Sequence, residues 1–251
     1  MSFAKHVPMS LRRSFRRVVP RKPYLFNEAV HPELGAIFVA VPKTGTTGIR
    51  KQMRAPGARF MIPEPHLDIR QIRDGLRVFE WMRAIDTNHA FPTDPAQIPS
   101  QDEAVDAADT FFSEAFKFSI VRNPWARVAS LYSRREGVQT RDALDFETFC
   151  LQLRYASDTC RKPLRHDGQI DWLTDESGEI VMDHVIRLEE LDEGIAAIDK
   201  MTDGRLQLET RQANVNPTSL SRNYRDRYSQ AAREHVADLF RRDIEAFGYT
   251  F

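Results

Sequence analysis

The residues with the clearest chemical potential form a short polar turn after an apolar run. The run AIFVAV occupies residues 36–41, and a threonine-rich turn follows it. A glycine between threonines lets the backbone curl until successive N–H groups and the next helix start point at one place, and a neighbouring lysine adds a positive charge. The pattern predicts a cradle for a phosphate, while an ordinary strand-to-helix turn with a chance lysine is the alternative. The cradle residues are Lys43, Thr44, Gly45, Thr46 and Thr47.

A second cationic position follows another apolar run, FKFSIV, at residues 116–121. Arg122 comes directly after this run, and Ser130 lies two helical turns further along. An arginine at a strand end attracts an anion, and a serine hydroxyl can donate a hydrogen bond to the same group. The alternatives are a structural ion pair for Arg122 and a solvent-facing or backbone-bonded hydroxyl for Ser130. We predict a second phosphate site at these two residues.

The cradle differs from the Walker A loop of nucleotide kinases and ATPases in the order of its residues. In the Walker A loop a lysine and a magnesium-binding hydroxyl follow the glycine, whereas Lys43 precedes Gly45 here. Those enzymes also use an aspartate at a strand end to hold the metal, where this chain has Arg122. Two phosphate sites without magnesium ligands predict a nucleotide that carries phosphates at two separate positions and needs no metal.

Three continuous apolar runs, at residues 36–41, 116–121 and 183–188, are typical of buried parallel strands. Asn123 and Pro124 supply an N-cap and a first helical residue after the second run. Further helices are predicted at residues 143–155 and at residues 229–247, the latter ending at Gly248. The proline-rich and acidic residues 87–109 are predicted to be a surface excursion. Strands that alternate with helices predict an α/β fold with helices on both faces of the sheet.

Composition limits the classes of function. The chain has 251 residues with 36 basic and 36 acidic side chains, so it lacks the basic excess of a nucleic-acid binder. No apolar run reaches the roughly 18 residues that span a bilayer, and there is no signal-peptide core. Cys150 and Cys160 have no metal-ligand spacing and are interpreted as buried or free thiols of a reducing compartment, with a disulfide as the alternative. A cytoplasmic location is therefore expected.

Residues 1–34 are predicted to form a basic N-terminal arm, and residues 35–251 a single domain. The first 22 residues contain seven lysines and arginines and no acidic residue. The arm either packs on acidic parts of the body or contacts a polyanion or anionic lipid headgroups, which would make it a peripheral membrane contact. The seven are Lys5, Arg12, Arg13, Arg16, Arg17, Arg21 and Lys22.

The two motifs together resemble a known family. VPKTGTTGIR is similar to the 5′-phosphosulfate loop, and FSIVRNPWARVASLYS to the 3′-phosphate motif, of the sulfotransferases that use 3′-phosphoadenosine-5′-phosphosulfate (PAPS). Residues 169–193 and 224–251 resemble the carbohydrate-type branch, which is sulfotransferase family 2-like. The resemblance implies a P-loop-like three-layer fold with a central parallel sheet, PAPS as donor without metal, and a carbohydrate or glycolipid acceptor. It also implies that Lys43 and the amides of residues 44–47 hold the 5′-phosphosulfate, and that Arg122 and Ser130 hold the 3′-phosphate.

Sulfuryl transfer needs charge stabilisation at the leaving phosphate and a base for the acceptor hydroxyl. Lys43 is the catalytic cation in this interpretation. His66 is the predicted base, because histidine accepts a proton near neutral pH and lies after the cradle helix. Glu64 and His89 are the alternatives, and His66 could instead only cap the following helix.

The polar segment 209–228 precedes the last predicted helix. In the relatives that the chain resembles, such a segment closes over the cofactor. This likeness implies cofactor contacts for Arg222, Tyr224 and Arg225, while a solvated loop is the alternative. Two other functions stay open at this stage: a small-molecule kinase, which would need magnesium and ATP, and an inactive relative that binds a phosphonucleotide without turnover.

Overall fold

The computed structural model describes residues 24–85, 100–133, 144–153, 168–210 and 223–251. In these ranges the strands are β1 (Tyr24–Leu25), β2 (Val30–His31), β3 (Ala36–Val39), β4 (Arg59–Phe60), β5 (Phe116–Val121) and β6 (His184–Arg187). The helices are α1 (Thr47–Met53), α2 (Ile69–Ile85), α3 (Gln101–Glu114), α4 (Pro124–Tyr132), α5 (Phe146–Gln152), α6 (Leu191–Met201), α7 (Gln230–Leu239) and α8 (Arg241–Phe247). None of these helices is long and apolar enough to cross a membrane.

The main sheet has the strand order β2-β3-β5-β6. β3, β5 and β6 are parallel to one another, whereas β2 is antiparallel to β3 at the edge. The three apolar runs are thus confirmed as parallel strands, and β5 has the predicted bounds. β3 ends at Val39, two residues before the predicted end. Because the carboxyl ends of parallel strands meet at one edge, the turn after β3 and the residue after β5 are neighbours.

The edge strand β2 lies among the residues that were predicted as the N-terminal arm. Val30 and His31, which the prediction assigned to the basic arm, pair with Ile37 and Ala36. Tyr24 and Leu25 pair in parallel with β4 in a separate two-stranded sheet. Two-residue strands carry too little sequence for a periodic signal, so residues 24–31 were not distinguishable from an arm. The predicted basic residues of the first 22 positions lie outside the described residues.

Helices cover both faces of the main sheet. Successive residues of a strand point to opposite faces, so alternate residues of β3 pack against different helices. Ile37 and Val39 pack with buried residues of α2 and α3. Phe38 stacks on Phe118 with ring centroids 4.8 Å apart, and both pack with residues of α1 and α6. The structure is therefore a mixed α/β fold whose parallel strands are flanked by helices.

The start of α4 agrees with the prediction. The Asn123 side chain accepts hydrogen bonds from the backbone N–H groups of Trp125 and Ala126, and Pro124 is the first helical residue. Trp125 is buried and Tyr132 packs against the same hydrophobic cluster, so both belong to the core. This cap fixes where the chain turns from β5 into the helix.

Three predicted elements need correction. Residues 101–109 belong to α3 and not to a surface excursion, because Ser100 and Glu103 form a capping box that starts a helix there. Within 143–155, the described helix α5 begins only at Phe146, where the Asp145 side chain caps it. The predicted helix 229–247 is two helices, α7 and α8, which meet at Phe240. Its end is confirmed, since Gly248 adopts the left-handed conformation with φ +64°.

Cys150 is a buried free thiol in the core beside α7. Burial raises its pKa to about 12, so the thiol stays protonated. Cys160 lies outside the described residues.

Candidate active site

The turn between β3 and α1 adopts the curled backbone expected of an anion cradle. Lys43 has φ +70° and Gly45 has φ +78°, so the chain enters the left-handed region twice within three residues. That region is uncommon for a residue with a side chain. At Gly45 a Cβ atom would lie 2.7 Å from the Leu188 Cδ1 atom, so only glycine fits there.

The threonine side chains of the cradle support the turn from inside. Thr44 is fully buried, and its hydroxyl donates to the carbonyl of Val41 at 2.9 Å. Thr46 is also buried, and its side chain makes no capping hydrogen bond to α1. Thr47, partly exposed, is the first residue of α1. The backbone N–H groups and the Lys43 ammonium are thus the donors suited to an anion, while the Thr44 hydroxyl is used to hold the turn.

The structure brings the two predicted phosphate sites together. Arg122 follows β5 directly, and its Nη1 atom lies 3.4 Å from the carbonyl oxygen of Lys43. Burial lowers the pKa of Arg122, and the nearby Glu189 carboxylate acts in the opposite direction. A guanidinium remains charged at neutral pH under such a shift. One edge of the sheet therefore carries two adjacent cationic strand ends.

The other described residues that were predicted to bind the nucleotide lie on α4 and near the start of the C-terminal range 223–251. Ser130 is partly exposed on the second half of α4. Tyr224 is buried and close enough to Arg122 for their charges to interact, while its own burial raises its pKa. Arg225 is exposed, with its guanidinium carbon 4.9 Å from the centre of the Tyr224 ring. Arg222 lies outside the described residues.

His66 lies beside the end of β3. The residue that it contacts there, Ala40, is three positions before Lys43 of the cradle. The Nδ1 atom of His66 is 2.7 Å from the carbonyl oxygen of Ala40. Because a carbonyl only accepts, Nδ1 carries the proton, and the lone pair of the neutral ring is on Nε2. The Glu64 carboxylate accepts from the His66 backbone N–H at 3.3 Å, which makes Glu64 a partner of the same turn. His89 lies outside the described residues.

Comparison with protein-family models decides the class of protein. A model described as the sulfotransferase family matches residues 28–250, which is most of the chain. The chain belongs to the sulfotransferase family. A search of curated proteins and a search of solved structures each returned no match. Family membership confirms the resemblance drawn from the two motifs, and it identifies a transferase of sulfuryl groups with an acceptor substrate.

Sequence reasoning missed several residues that shape the site of this sulfotransferase. Asn27 is fully buried, and its side-chain amide donates to the carbonyls of Ile62 and Glu64 at 2.6 and 2.8 Å. It thereby holds the segment that leads to His66. Its bonds span 35 and 37 positions of sequence, so no local pattern could have revealed them.

Glu189 is a further residue that shapes the site. Its neighbour Glu190 precedes α6 as the N-cap residue. Glu189 instead accepts hydrogen bonds from the backbone N–H of Asn123 at 2.9 Å and from the Tyr249 hydroxyl at 3.2 Å. Its carboxylate therefore joins the end of β6, the start of α4 and the C-terminal residues beside Arg122.

Two observations bound the chemistry of this sulfotransferase. Within the ranges that the structure describes, no group of three or more His, Cys, Asp or Glu side chains is arranged to hold a metal ion. A cleft of about 1090 Å³ lies along α7 and α8 near Trp125 and Phe251, and its described lining includes neither Lys43 nor Arg122. The cationic strand ends, and not this cleft, are the candidate site.

Proposed function

We propose that this sulfotransferase moves the sulfuryl group of PAPS to a hydroxyl of a carbohydrate or glycolipid, on a P-loop-like three-layer fold. The observation that carries the proposal is the 3.4 Å contact between the Arg122 guanidinium and the Lys43 carbonyl. Adjacent cationic strand ends suit a donor with phosphates at two separate positions, and use of PAPS is general in the family.

The cradle supplies the donors for the reacting end of PAPS. Lys43 and the amides of residues 44–47 bind the 5′-phosphosulfate, and Arg122 with Ser130 binds the 3′-phosphate. During transfer the acceptor oxygen bonds to sulfur while the bond from sulfur to the bridging oxygen breaks, and negative charge grows on the leaving phosphate. Lys43 stabilises that charge, so loss of its ammonium group should lower the rate of transfer.

His66 takes the proton of the acceptor hydroxyl. The hydrogen bond from Nδ1 to Ala40 orients the ring and leaves Nε2 as the accepting atom. Asn27 and Glu64 support this orientation through the backbone before and at His66. Tyr224 and Arg225 contact the nucleotide in this proposal, and so does Arg222, which lies outside the described residues.

Transfer from sulfur-labelled PAPS to an array of acceptors tests the proposal. The array contains oligosaccharides, glycolipids and, as a contrast, phenols and steroid alcohols. We expect label on a sugar-containing acceptor in the presence of a chelator, and no label with Lys43→Ala. Label only on phenols or steroids would contradict the acceptor class, and no transfer to any acceptor would contradict the proposed reaction.

A further inference from the structure

The backbone of Arg122 is held by a side chain from a distant part of the sequence. Arg122 donates its N–H to Oε1 of Gln169 at 2.8 Å, and its carbonyl accepts from Nε2 of the same amide at 2.8 Å. β5 ends at Val121, so Arg122 is the first residue beyond the strand. The Gln169 amide thus supplies the paired donor and acceptor that a neighbouring strand would offer.

The orientation of the Gln169 amide is set by a buried carboxylate. Asp243 of α8 accepts from the Gln169 backbone N–H at 2.8 Å, from Gln169 Nε2 at 3.2 Å and from the Ile170 N–H at 3.0 Å. Both carboxylate oxygens of Asp243 accept backbone N–H bonds, so the amide must turn its NH₂ toward Asp243 and toward the Arg122 carbonyl. Its oxygen then faces the Arg122 N–H. Gln169 and Asp243 are both fully buried.

A third buried side chain connects this pair with the cradle. Arg127 of α4 interacts electrostatically with Asp243 and is itself buried. Its Nε atom donates to the carbonyl of Pro42 at 3.2 Å, one residue before Lys43. Arg127, Asp243 and Gln169 therefore join the backbones of both cationic strand ends through the protein interior.

We propose that Gln169, oriented by Asp243, is a positioning residue that sets the place of Arg122 relative to the cradle and so determines donor affinity. The inference rests on the proposed function, because it assumes that Arg122 binds the 3′-phosphate. Gln169 does not touch the donor. Its effect reaches the donor through the Arg122 backbone.

The test is calorimetric binding of 3′-phosphoadenosine 5′-phosphate (PAP), the desulfated donor, to Gln169→Met. Methionine keeps the volume and removes both hydrogen bonds to Arg122. We expect the Kd for PAP to rise about 10- to 100-fold, because a displaced Arg122 would lose one or two of its own hydrogen bonds to the 3′-phosphate. Turnover at saturating PAPS should stay within about threefold of wild type, because Lys43 keeps its own support at Pro42.

Thr202→Val is a matched control. The buried Thr202 hydroxyl also donates to a backbone carbonyl, that of Ile198, at 2.8 Å, and lies at the C-terminal end of α6. This variant should bind PAP like wild type. If Gln169→Met does not fold, Asp243→Asn is the second test. Asparagine keeps the shape of the side chain but allows the Gln169 amide to reverse its orientation. This variant should also weaken PAP binding.

The outcomes separate the two proposals. If the wild-type protein does not bind PAP, the proposed donor is wrong and this inference falls with it. If wild type binds PAP and the folded Gln169 or Asp243 variant binds it equally well, only the positioning role is wrong. Weaker PAP binding with near-normal turnover at saturation supports the positioning role.

Discussion

Lys43 and Arg122 lie next to each other but are proposed to act at different stages. Lys43 belongs to a turn that enters the left-handed region, and we propose that its charge lies beside the bond that breaks. Arg122 is partly exposed and held through its backbone, so its guanidinium is suited to holding a group that does not react. A residue that acts on growing charge affects turnover, whereas one that holds an unreactive phosphate affects affinity.

Lys43→Ala and Arg122→Ala should therefore differ in kind. We expect Lys43→Ala to lower turnover by about 10²- to 10³-fold, or roughly 3–4 kcal/mol. Arg122→Ala should mainly weaken PAP affinity, by about 1.5–3 kcal/mol. Steady-state kinetics and calorimetry measure both, with the exposed Lys51→Ala as a control for loss of charge nearby. Near-normal kinetics in both folded variants would remove both site assignments.

His66→Ala should lose about 10²- to 10⁴-fold in turnover, because a positioned base contributes that range. PAP affinity should not change, since the ring accepts a proton from the acceptor and not from the nucleotide. Glu64→Gln and His89→Ala are the controls, because a base at either position would show the same loss there. Full activity of His66→Ala on the acceptor found in the array would assign the base to another residue.

At the scale of elements, the sequence was most informative where local signals were dense. The runs at residues 116–121 and 183–188 predicted β5 and β6, and Asn123 with Pro124 predicted the start of α4. The capping box at Ser100 was overlooked because prolines and acids before it suggested a loop. The break at Phe240 has no glycine or proline to mark it, so the sequence pattern continued through both helices.

The cap of α4 should matter for both stability and donor binding. Asn123→Ala removes the bonds to Trp125 and Ala126 and the one to the Thr250 carbonyl, so the free energy of unfolding should fall by about 1–2 kcal/mol. PAP binding should also weaken, because α4 begins two residues after Arg122 and carries Ser130. Urea unfolding and calorimetry are the measurements.

Ser100→Ala is the matched cap variant, since it removes a similar bond at the start of α3. It should cost about 1 kcal/mol of stability and leave PAP affinity unchanged. Equal PAP affinities in the two variants would mean that the start of α4 does not set the phosphate site.

For the whole molecule, the strand ends were predictable and their internal support was not. A run of apolar residues followed by Lys43 or Arg122 is a local signal. The bonds of Gln169 with Arg122 and Asp243 span 47 and 74 positions, and those of Asn27 span 35 and 37, so they exist only in the folded chain. Polar residues that serve such distant contacts look like ordinary loop residues in sequence.

The central claim is that this sulfotransferase binds a nucleotide with two separate phosphates at two cationic strand ends. Calorimetric titration of the wild-type protein with PAP, and in parallel with ATP, in the presence and absence of a chelator tests it most directly. The account predicts that PAP binds equally well with and without the chelator and more tightly than ATP. Binding of PAP that disappears with the chelator, or a preference for ATP, would contradict it.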